Sequence, residues 1–142
     1  MRRIDEIIIH CTATKEGVDV DAKTIDKWHK QRGWKGIGYH YVIKLDGTVE
    51  KGRNDEEVGA HCTNHNAHSI GIVYVGGLDN NGKPKDTRTD AQKESMWNLL
   101  RILLIKYPTA NVHGHNEFAN KACPCFDVQK ECGIINLKCA SK

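Results

Sequence analysis

The chain has 142 residues, of which 39% are hydrophobic and 27% are charged, and its formal net charge is +3. This composition is typical of one globular domain and excludes a disordered or low-complexity chain, so we expect residues 1–142 to form a single domain. The charge is spread along the chain without the basic stripe of a nucleic-acid-binding protein, and we therefore expect no nucleic acid among its partners.

The N-terminal third of the chain predicts a strand followed by a helix. Residues 4–11 contain the β-branched run Ile7-Ile8-Ile9, which is typical of a strand buried on both faces. Residues 22–32 are predicted to be helical, with Asp21 as the N-cap and Gly33 at the stop.

The middle of the chain predicts extended structure. Residues 39–44 and 48–50 flank the turn signal Asp46-Gly47 and should form a β-hairpin. Residues 70–75 form another apolar run that favours a strand, and a loop follows at residues 80–82.

The strongest predicted helix begins at the capping box Thr89-Asp90-Ala91-Gln92. Its apolar face would contain five residues: Met96, Leu99, Leu100, Leu103 and Leu104. A short strand is predicted at residues 111–115 and a short helix at residues 127–132. The order β-α-β-β-β-α-β indicates an α/β (α+β) fold with a central mixed β-sheet flanked by helices.

The N-terminus bears on where the protein is made. The apolar run that ends at His10 is too short for a signal peptide, and no stretch has the length of a membrane span. We expect synthesis in the cytoplasm without a signal peptide, no membrane insertion, and delivery by another system if the substrate lies outside the membrane.

Six cysteines are present: Cys11, Cys62, Cys123, Cys125, Cys132 and Cys139. Without an export signal, and in a domain large enough to fold without cross-links, reduced thiols are the favoured interpretation. Disulfides among the last three cysteines stay open.

Histidine and cysteine offer the clearest chemistry. His10 closes the first predicted strand, where side chains reach a cleft in open α/β sheets. His113 and His115 lie two residues apart on a predicted strand, so they should face the same side. Together with Cys123, His10 and His115 would give zinc two nitrogens and one sulfur, which leaves a fourth position open for catalysis.

The residues alone leave other interpretations open. Cys123-Pro124-Cys125 offers two thiols, which with two histidines would make a closed structural zinc site. Judged from the residues alone, Tyr39 is a half-buried aromatic residue of the hairpin and Lys121 is a solvated lysine in a loop.

A family resemblance runs through ordered blocks over nearly the whole chain. The chain resembles the phage-lysozyme-type N-acetylmuramoyl-L-alanine amidases, within the superfamily shared with peptidoglycan recognition proteins. The blocks are Ile9-His10-Cys11-Thr12-Ala13-Thr14, Trp28-His29-Lys30, Gly38-Tyr39-His40-Tyr41, Asp46-Gly47-Thr48-Val49-Glu50, Gly52-Arg53, Val58-Gly59-Ala60-His61, Ser69-Ile70-Gly71-Ile72, Val75-Gly76-Gly77, His115-Asn116-Glu117, Lys121-Ala122-Cys123-Pro124 and Phe126-Asp127.

The resemblance implies Zn²⁺ as cofactor and peptidoglycan as substrate. His10, His115 and Cys123 match the family's zinc ligands, so Cys123 is preferred over Cys125. Tyr39 and Lys121 match the family's catalytic tyrosine and lysine. Asn116 stands where close relatives can carry a second histidine, and Cys125 where they can carry serine.

The implied reaction is hydrolysis of the amide between N-acetylmuramic acid and L-alanine. Zinc lowers the pKa of water to about 7 and acts as a Lewis acid. Lys121 would add positive charge at the oxyanion, and Tyr39 would hydrogen-bond the water or pass a proton to the leaving nitrogen. His61 would line the cleft and touch substrate, whereas we expect His40 to be structural and His29 either to pack its helix or to lie at the surface.

Three other functions compete with an endolysin-like lytic enzyme, and one of them is an extracellular effector stabilised by disulfides. Superfamily members that lack zinc bind peptidoglycan without cutting it, so a non-catalytic binding module is the main alternative. In some phage relatives an N-terminal extension helps to bind the phage RNA polymerase. This N-terminus is short, so we do not expect that contact here. A small lytic enzyme is most simply a monomer.

Overall fold

The computed structural model describes residues 2–137, with seven strands and three helices in that range. The elements are β1 (Glu6–Cys11), β2 (Thr14–Lys15), α1 (Ala22–Gln31), β3 (Tyr41–Ile43), β4 (Val49–Lys51), β5 (Ser69–Tyr74), β6 (Gly77–Leu78), α2 (Asp90–Lys106), β7 (Asn111–Gly114) and α3 (Val128–Ile134). Two 3-10 turns, Asn66–His68 and His115–Glu117, precede β5 and follow β7. All eight predicted elements are present, with ends that differ by at most two residues.

The main sheet has five strands in the order β4-β3-β5-β1-β7. Strand β3 pairs antiparallel with β4 as the predicted hairpin, and the other three pairings are parallel. The predicted mixed sheet is therefore confirmed.

Strand β1 lies between β5 and β7, which explains its continuous apolar run. Ile7, Ile8 and Ile9 have at most 1% of their surface exposed. Strands of parallel sheets are covered on both faces. Their residues are therefore apolar on both sides and do not alternate between apolar and polar.

Helices cover the two faces of the sheet differently. On one face, Ile7, Ile9 and Cys11 of β1 join the core that includes the apolar face of α2 and part of α3. On the other face, Ile25 of α1 packs with Val73 of β5 in a second core. His10 alternates with Ile9 and Cys11, so its side chain points to the α1 face.

The helix caps follow the sequence signals. Asp21 accepts a hydrogen bond from the Thr24 amide at the start of α1. Thr89 and Gln92 form both bonds of the capping box at α2. Asp127 caps α3 through the Lys130 amide.

The sequence did not predict strands β2 and β6, which form a separate two-stranded parallel sheet. Two residues are too few to show a strand period. Strand β7 ends at Gly114, so His115 begins the 3-10 turn and does not extend the strand.

Two further expectations concern the membrane and the cysteines. None of the helices in residues 2–137 combines the length and apolar character needed to cross a membrane. Cys11, Cys62, Cys123 and Cys125 are free thiols. Cys139 lies outside the described residues, so the expectation about its pairing stays a prediction.

Candidate metal centre and cleft

Three of the predicted site residues come together at one end of the sheet. His10 is the fifth residue of β1, His115 follows β7, and Cys123 lies in the loop before α3. One ligand atom from each lies within 4.8 Å of the other two. Because β1 and β7 are parallel neighbours, their carboxyl ends bring the two histidines to the same edge.

The histidines form a continuous chain of ring contacts. Nδ1 of His10 lies 3.2 Å from Nδ1 of His115, and Nε2 of His10 lies 2.9 Å from Nδ1 of His61. Nε2 of His61 in turn lies 3.1 Å from the Ser69 hydroxyl oxygen. Both ring nitrogens of His10 and His61 are thus engaged.

The environment keeps these imidazoles neutral at physiological pH. Burial lowers the pKa of His10 well below its usual value, and burial together with the positive charge of Lys121 lowers the pKa of His115. Burial also lowers the pKa of His61 to about 3. A neutral imidazole is the form that binds a metal ion.

The surroundings of Cys123 favour its thiolate. Hydrogen bonding from the Cys11 thiol lowers the pKa of Cys123, and the Cys11 amide adds a bond to its sulfur at 3.2 Å, while burial acts in the opposite direction. Two neutral imidazoles and a stabilised thiolate are the donor set that zinc prefers. The residues present therefore fit a zinc ion.

The two predicted catalytic residues, Tyr39 and Lys121, lie on the cleft side of the His10, His115 and Cys123 group. Tyr39 precedes β3, and its ring centroid is 5.1 Å from that of His10. Burial raises the pKa of Tyr39, so its phenol stays protonated. Lys121 is exposed and lies in the loop that leads to Cys123. Both side chains line the same cleft as His115.

That cleft has a volume of about 470 Å³. Its lining includes His29, Arg32, Trp34, Tyr39, Ala60, His61, Cys62, Thr63, Asn66, His115 and Lys121. His10 is not part of this lining, although it contacts Tyr39, His61 and His115, so it lies beneath the cleft floor. His115 is the ligand candidate that faces the cleft directly.

Two further histidines, His40 and His29, bond to backbone groups of neighbouring segments. His40 is fully buried, where Nδ1 accepts a bond from the Gly71 amide at 3.0 Å and Nε2 donates to the Glu57 carbonyl at 2.8 Å. His29 is buried and its Nδ1 accepts a bond from the Gly38 amide at 2.8 Å, although it also lines the cleft.

Sequence reasoning missed several cleft residues. Arg32 and Trp34 follow α1, with the guanidinium carbon 5.3 Å from the Trp34 ring centroid. Asn66 accepts bonds from the amides of His61 and Cys62 at 2.9 and 3.0 Å, which fixes the loop that carries His61. Residues in loops between elements give no periodic signal, so only the fold identifies these residues.

The comparisons with known proteins agree with this geometry. The sequence profile of the N-acetylmuramoyl-L-alanine amidase family matches residues 1–126. The chain is 47% identical to the endolysin of Escherichia phage T7 over 126 residues, which cover 89% of this chain and 83% of that protein. It is 32% identical to peptidoglycan-recognition protein SC2 of Drosophila melanogaster, over 87% of this chain and 70% of that one.

Among solved structures, the N-acetylmuramoyl-L-alanine amidase LysC from Clostridium intestinale superimposes with a TM-score of 0.82 at 32% identity. The match covers 96% of this chain and 88% of that structure. The chain therefore belongs to the N-acetylmuramoyl-L-alanine amidase family, and its fold is the one that amidases share with peptidoglycan recognition proteins.

Proposed function

We propose that this protein is a zinc-dependent amidase that hydrolyses the bond between N-acetylmuramic acid and L-alanine in bacterial peptidoglycan. The observation that carries the proposal is the group of His10, His115 and Cys123 under a cleft lined by Tyr39 and Lys121. The family membership supports the same reaction, since the relatives named above include an endolysin and an amidase.

Each residue has a defined part in the proposed reaction. His10, His115 and Cys123 would hold the zinc ion, which would supply a Lewis acid and a usable water nucleophile near neutral pH. The Lys121 ammonium stabilises the negative charge that develops on the carbonyl oxygen. The protonated Tyr39 hydroxyl holds the attacking water or delivers a proton to the leaving nitrogen.

We assign His61 a positioning role in addition to any contact with substrate. With Nδ1 of His10 directed to His115, Nε2–H of His10 donates to Nδ1 of His61, and Nε2–H of His61 donates to the Ser69 hydroxyl. Such outer partners fix the tautomer and orientation of a metal-binding histidine. Gly71 leaves room for this ring, because a Cβ there would lie 2.6 Å from Cγ of His61.

We further propose that residues 1–142 act as one domain on the cell wall, in the manner of an endolysin. The endolysins among its relatives support this setting. Peptidoglycan is the partner, and a monomer is sufficient because all the proposed site residues come from one chain.

The direct test is digestion of purified peptidoglycan, with products followed by mass spectrometry. We expect stem peptides with a new L-alanine amino terminus and intact glycan strands. A zinc chelator should stop their release, and added zinc should restore it. If the protein binds the wall but releases no peptide when zinc is present, the catalytic proposal is wrong and the non-catalytic binding module replaces it.

A further inference from the structure

A second group of metal-binding side chains lies at the opposite end of β1. Glu6 is the first residue of that strand, and His65 and His68 flank the 3-10 turn before β5. One ligand atom from each of the three lies within 4.8 Å of the other two. Neither the proposed reaction nor the cleft uses these residues.

The distances within this group suit a coordinated metal ion. Oε1 of Glu6 lies 2.8 Å from Nδ1 of His65 and 3.4 Å from Nδ1 of His68. Ligand atoms bound at 2.0–2.2 Å around a tetrahedral zinc ion lie roughly 3.4 Å apart. Small side-chain rotations would therefore bring all three atoms onto one ion.

One nitrogen in the group lacks a hydrogen bond. Nδ1 of His68 is shielded from solvent and, among the buried side-chain polar atoms of residues 2–137, it alone has no hydrogen-bond partner. An ion pair between Glu6 and His65 alone leaves Nδ1 of His68 without a hydrogen bond. A metal ion shared by the three residues would satisfy it.

A third histidine, His113, lies next to this group. Nε2 of His113 lies 3.8 Å from Oε2 of Glu6, while its Nδ1 lies 2.9 Å from Oε1 of Glu117. A histidine with one nitrogen toward the ion and the other on a carboxylate is the arrangement found around protein-bound zinc. Glu117 is itself held by the Gly114 amide at 2.7 Å.

The group is built on rigid parts of the fold. Glu6 pairs in register with Ser69, the residue after His68. The His65 ring stacks on Phe118 with centroids 3.9 Å apart. The His68 carbonyl accepts a bond from the Asp5 amide at 2.9 Å. The ligands therefore need little ordering when an ion binds.

From this geometry we propose a second divalent-metal site, of the zinc class, formed by Glu6, His65 and His68 with His113 as the nearest fourth ligand. Imidazole and carboxylate ligands suit zinc and its neighbours and not calcium or magnesium, which take oxygen. The site is separate from the cleft, because Glu6 and His10 are four residues apart on one strand, roughly 13 Å.

The function of this second ion would be structural. The segment between His61 and His68 contributes Cys62, Thr63 and Asn66 to the cleft wall. Metal binding at His65 and His68 would tie that wall to β1 and β7. A ligand that binds only the folded state also raises stability by mass action.

The test is metal stoichiometry of the metal-free protein, measured by equilibrium dialysis with zinc and by titration with Co²⁺. We expect about two ions per chain for the wild type and about one for Glu6→Gln and for His68→Asn. Both variants should keep the thiolate-to-cobalt charge-transfer band, because that band requires Cys123. Glu16→Gln, which removes a carboxylate that pairs with Lys85 at the surface, should still bind about two ions.

Cys123→Ser separates this proposal from the proposed function. If Cys123→Ser and the wild type both bind about one ion and Glu6→Gln binds none, the second site is real and the zinc centre in the cleft is wrong. If the wild type binds about one ion and Cys123→Ser binds none, with Glu6→Gln unchanged, the second site is wrong. Circular dichroism of each variant establishes that it is folded.

Discussion

At the scale of single residues, two thiols only two positions apart have different surroundings. Cys123 shares its ligand group with His10 and His115. The Cys125 thiol instead donates to the Gly77 carbonyl at 3.3 Å, and burial raises its pKa to about 11. Only Cys123 combines proximity to the histidines with a lowered pKa.

We therefore expect Cys123→Ser to lose zinc affinity and amidase activity by more than about 100-fold, the upper end of what loss of an outer-shell partner costs. The matched variant Cys125→Ser should stay within about 3-fold, because it keeps the three ligands. Zinc binding and peptide release measure both effects. Equal losses in the two variants would contradict the assignment of Cys123 as the ligand.

A second prediction concerns His61, which lies between His10 and Ser69. His61→Ala should lower zinc affinity and kcat about 10- to 100-fold, because the His10 ring loses the partner that fixes its tautomer. Ser69→Ala should act in the same direction but less. If His61→Ala instead raises KM alone and leaves zinc affinity unchanged, the residue only contacts substrate.

The sequence predicts those features of the site that depend on residue type and local position, but not those that depend on contacts between distant parts of the chain. The ligand types and the strand-end position of His10 were visible in the sequence, and the resemblance selected His115 and Cys123. The contact between His10 and His61 was not visible, because it joins residues 51 positions apart. The spacing of His65 and His68 was visible, but Glu6 reaches them only through the pairing of β1 with β5.

At the scale of elements, Gln92 has a role beyond the capping box that predicted the start of α2. Its side-chain oxygen accepts the Thr89 amide at 2.9 Å. Its side-chain nitrogen donates to the carbonyls of Ile43 at 3.2 Å and Val75 at 3.0 Å. One buried amide thus joins the helix start to β3 and to the end of β5.

We predict that Gln92→Leu lowers the free energy of unfolding by about 1–3 kcal/mol, because the Val75 carbonyl loses this donor and the Thr89 amide loses this acceptor. Glu94→Leu is the control on the exposed side of the same helix and should change it by less than about 0.5 kcal/mol. Urea unfolding followed by circular dichroism measures both. A loss below about 0.5 kcal/mol for Gln92→Leu would show that the two bonds contribute little.

The elements themselves were largely predictable from sequence. The buried run Ile7–Ile9, the Asp46-Gly47 turn and the Thr89 capping box each carry a local signal that the fold keeps. Strands β2 and β6 carry none, since their pairing is made by residues more than 60 positions apart. Strand order in the main sheet is likewise set by long-range packing.

At the scale of the whole molecule, Asp55 connects the β3-β4 edge of the sheet to the end of α2. Its carboxylate accepts bonds from the hydroxyls of Tyr41 and Tyr107, each at 2.8 Å, and pairs with Lys51 and with Lys106. Burial alone would raise the pKa of Asp55, but these partners lower it below its usual value of 3.8.

A lowered pKa in the folded state stabilises the protein above the unfolded pKa, and this stabilisation is lost as the pH falls through the lower, folded value. We expect Asp55→Asn to reduce the free energy of unfolding by about 1–3 kcal/mol at neutral pH. The difference from the wild type should shrink below about pH 4. Glu56→Gln, at the exposed neighbouring position, should show no such trend. A difference that stays constant into acid would contradict this account.

The central place of β1 also determines when the cleft can assemble during synthesis. His10 is separated by 105 residues from His115, and Cys11 by 112 residues from the sulfur of Cys123. Contacts of such sequence separation form late, because the long loop must close before they add any stability. A nascent chain can pair β1 with β5 before His115 and Cys123 have been synthesised, but until then it cannot complete the ligand group. The proposed lytic centre therefore forms after the central strands have paired, and a chain that stops short of Cys123 should have no activity.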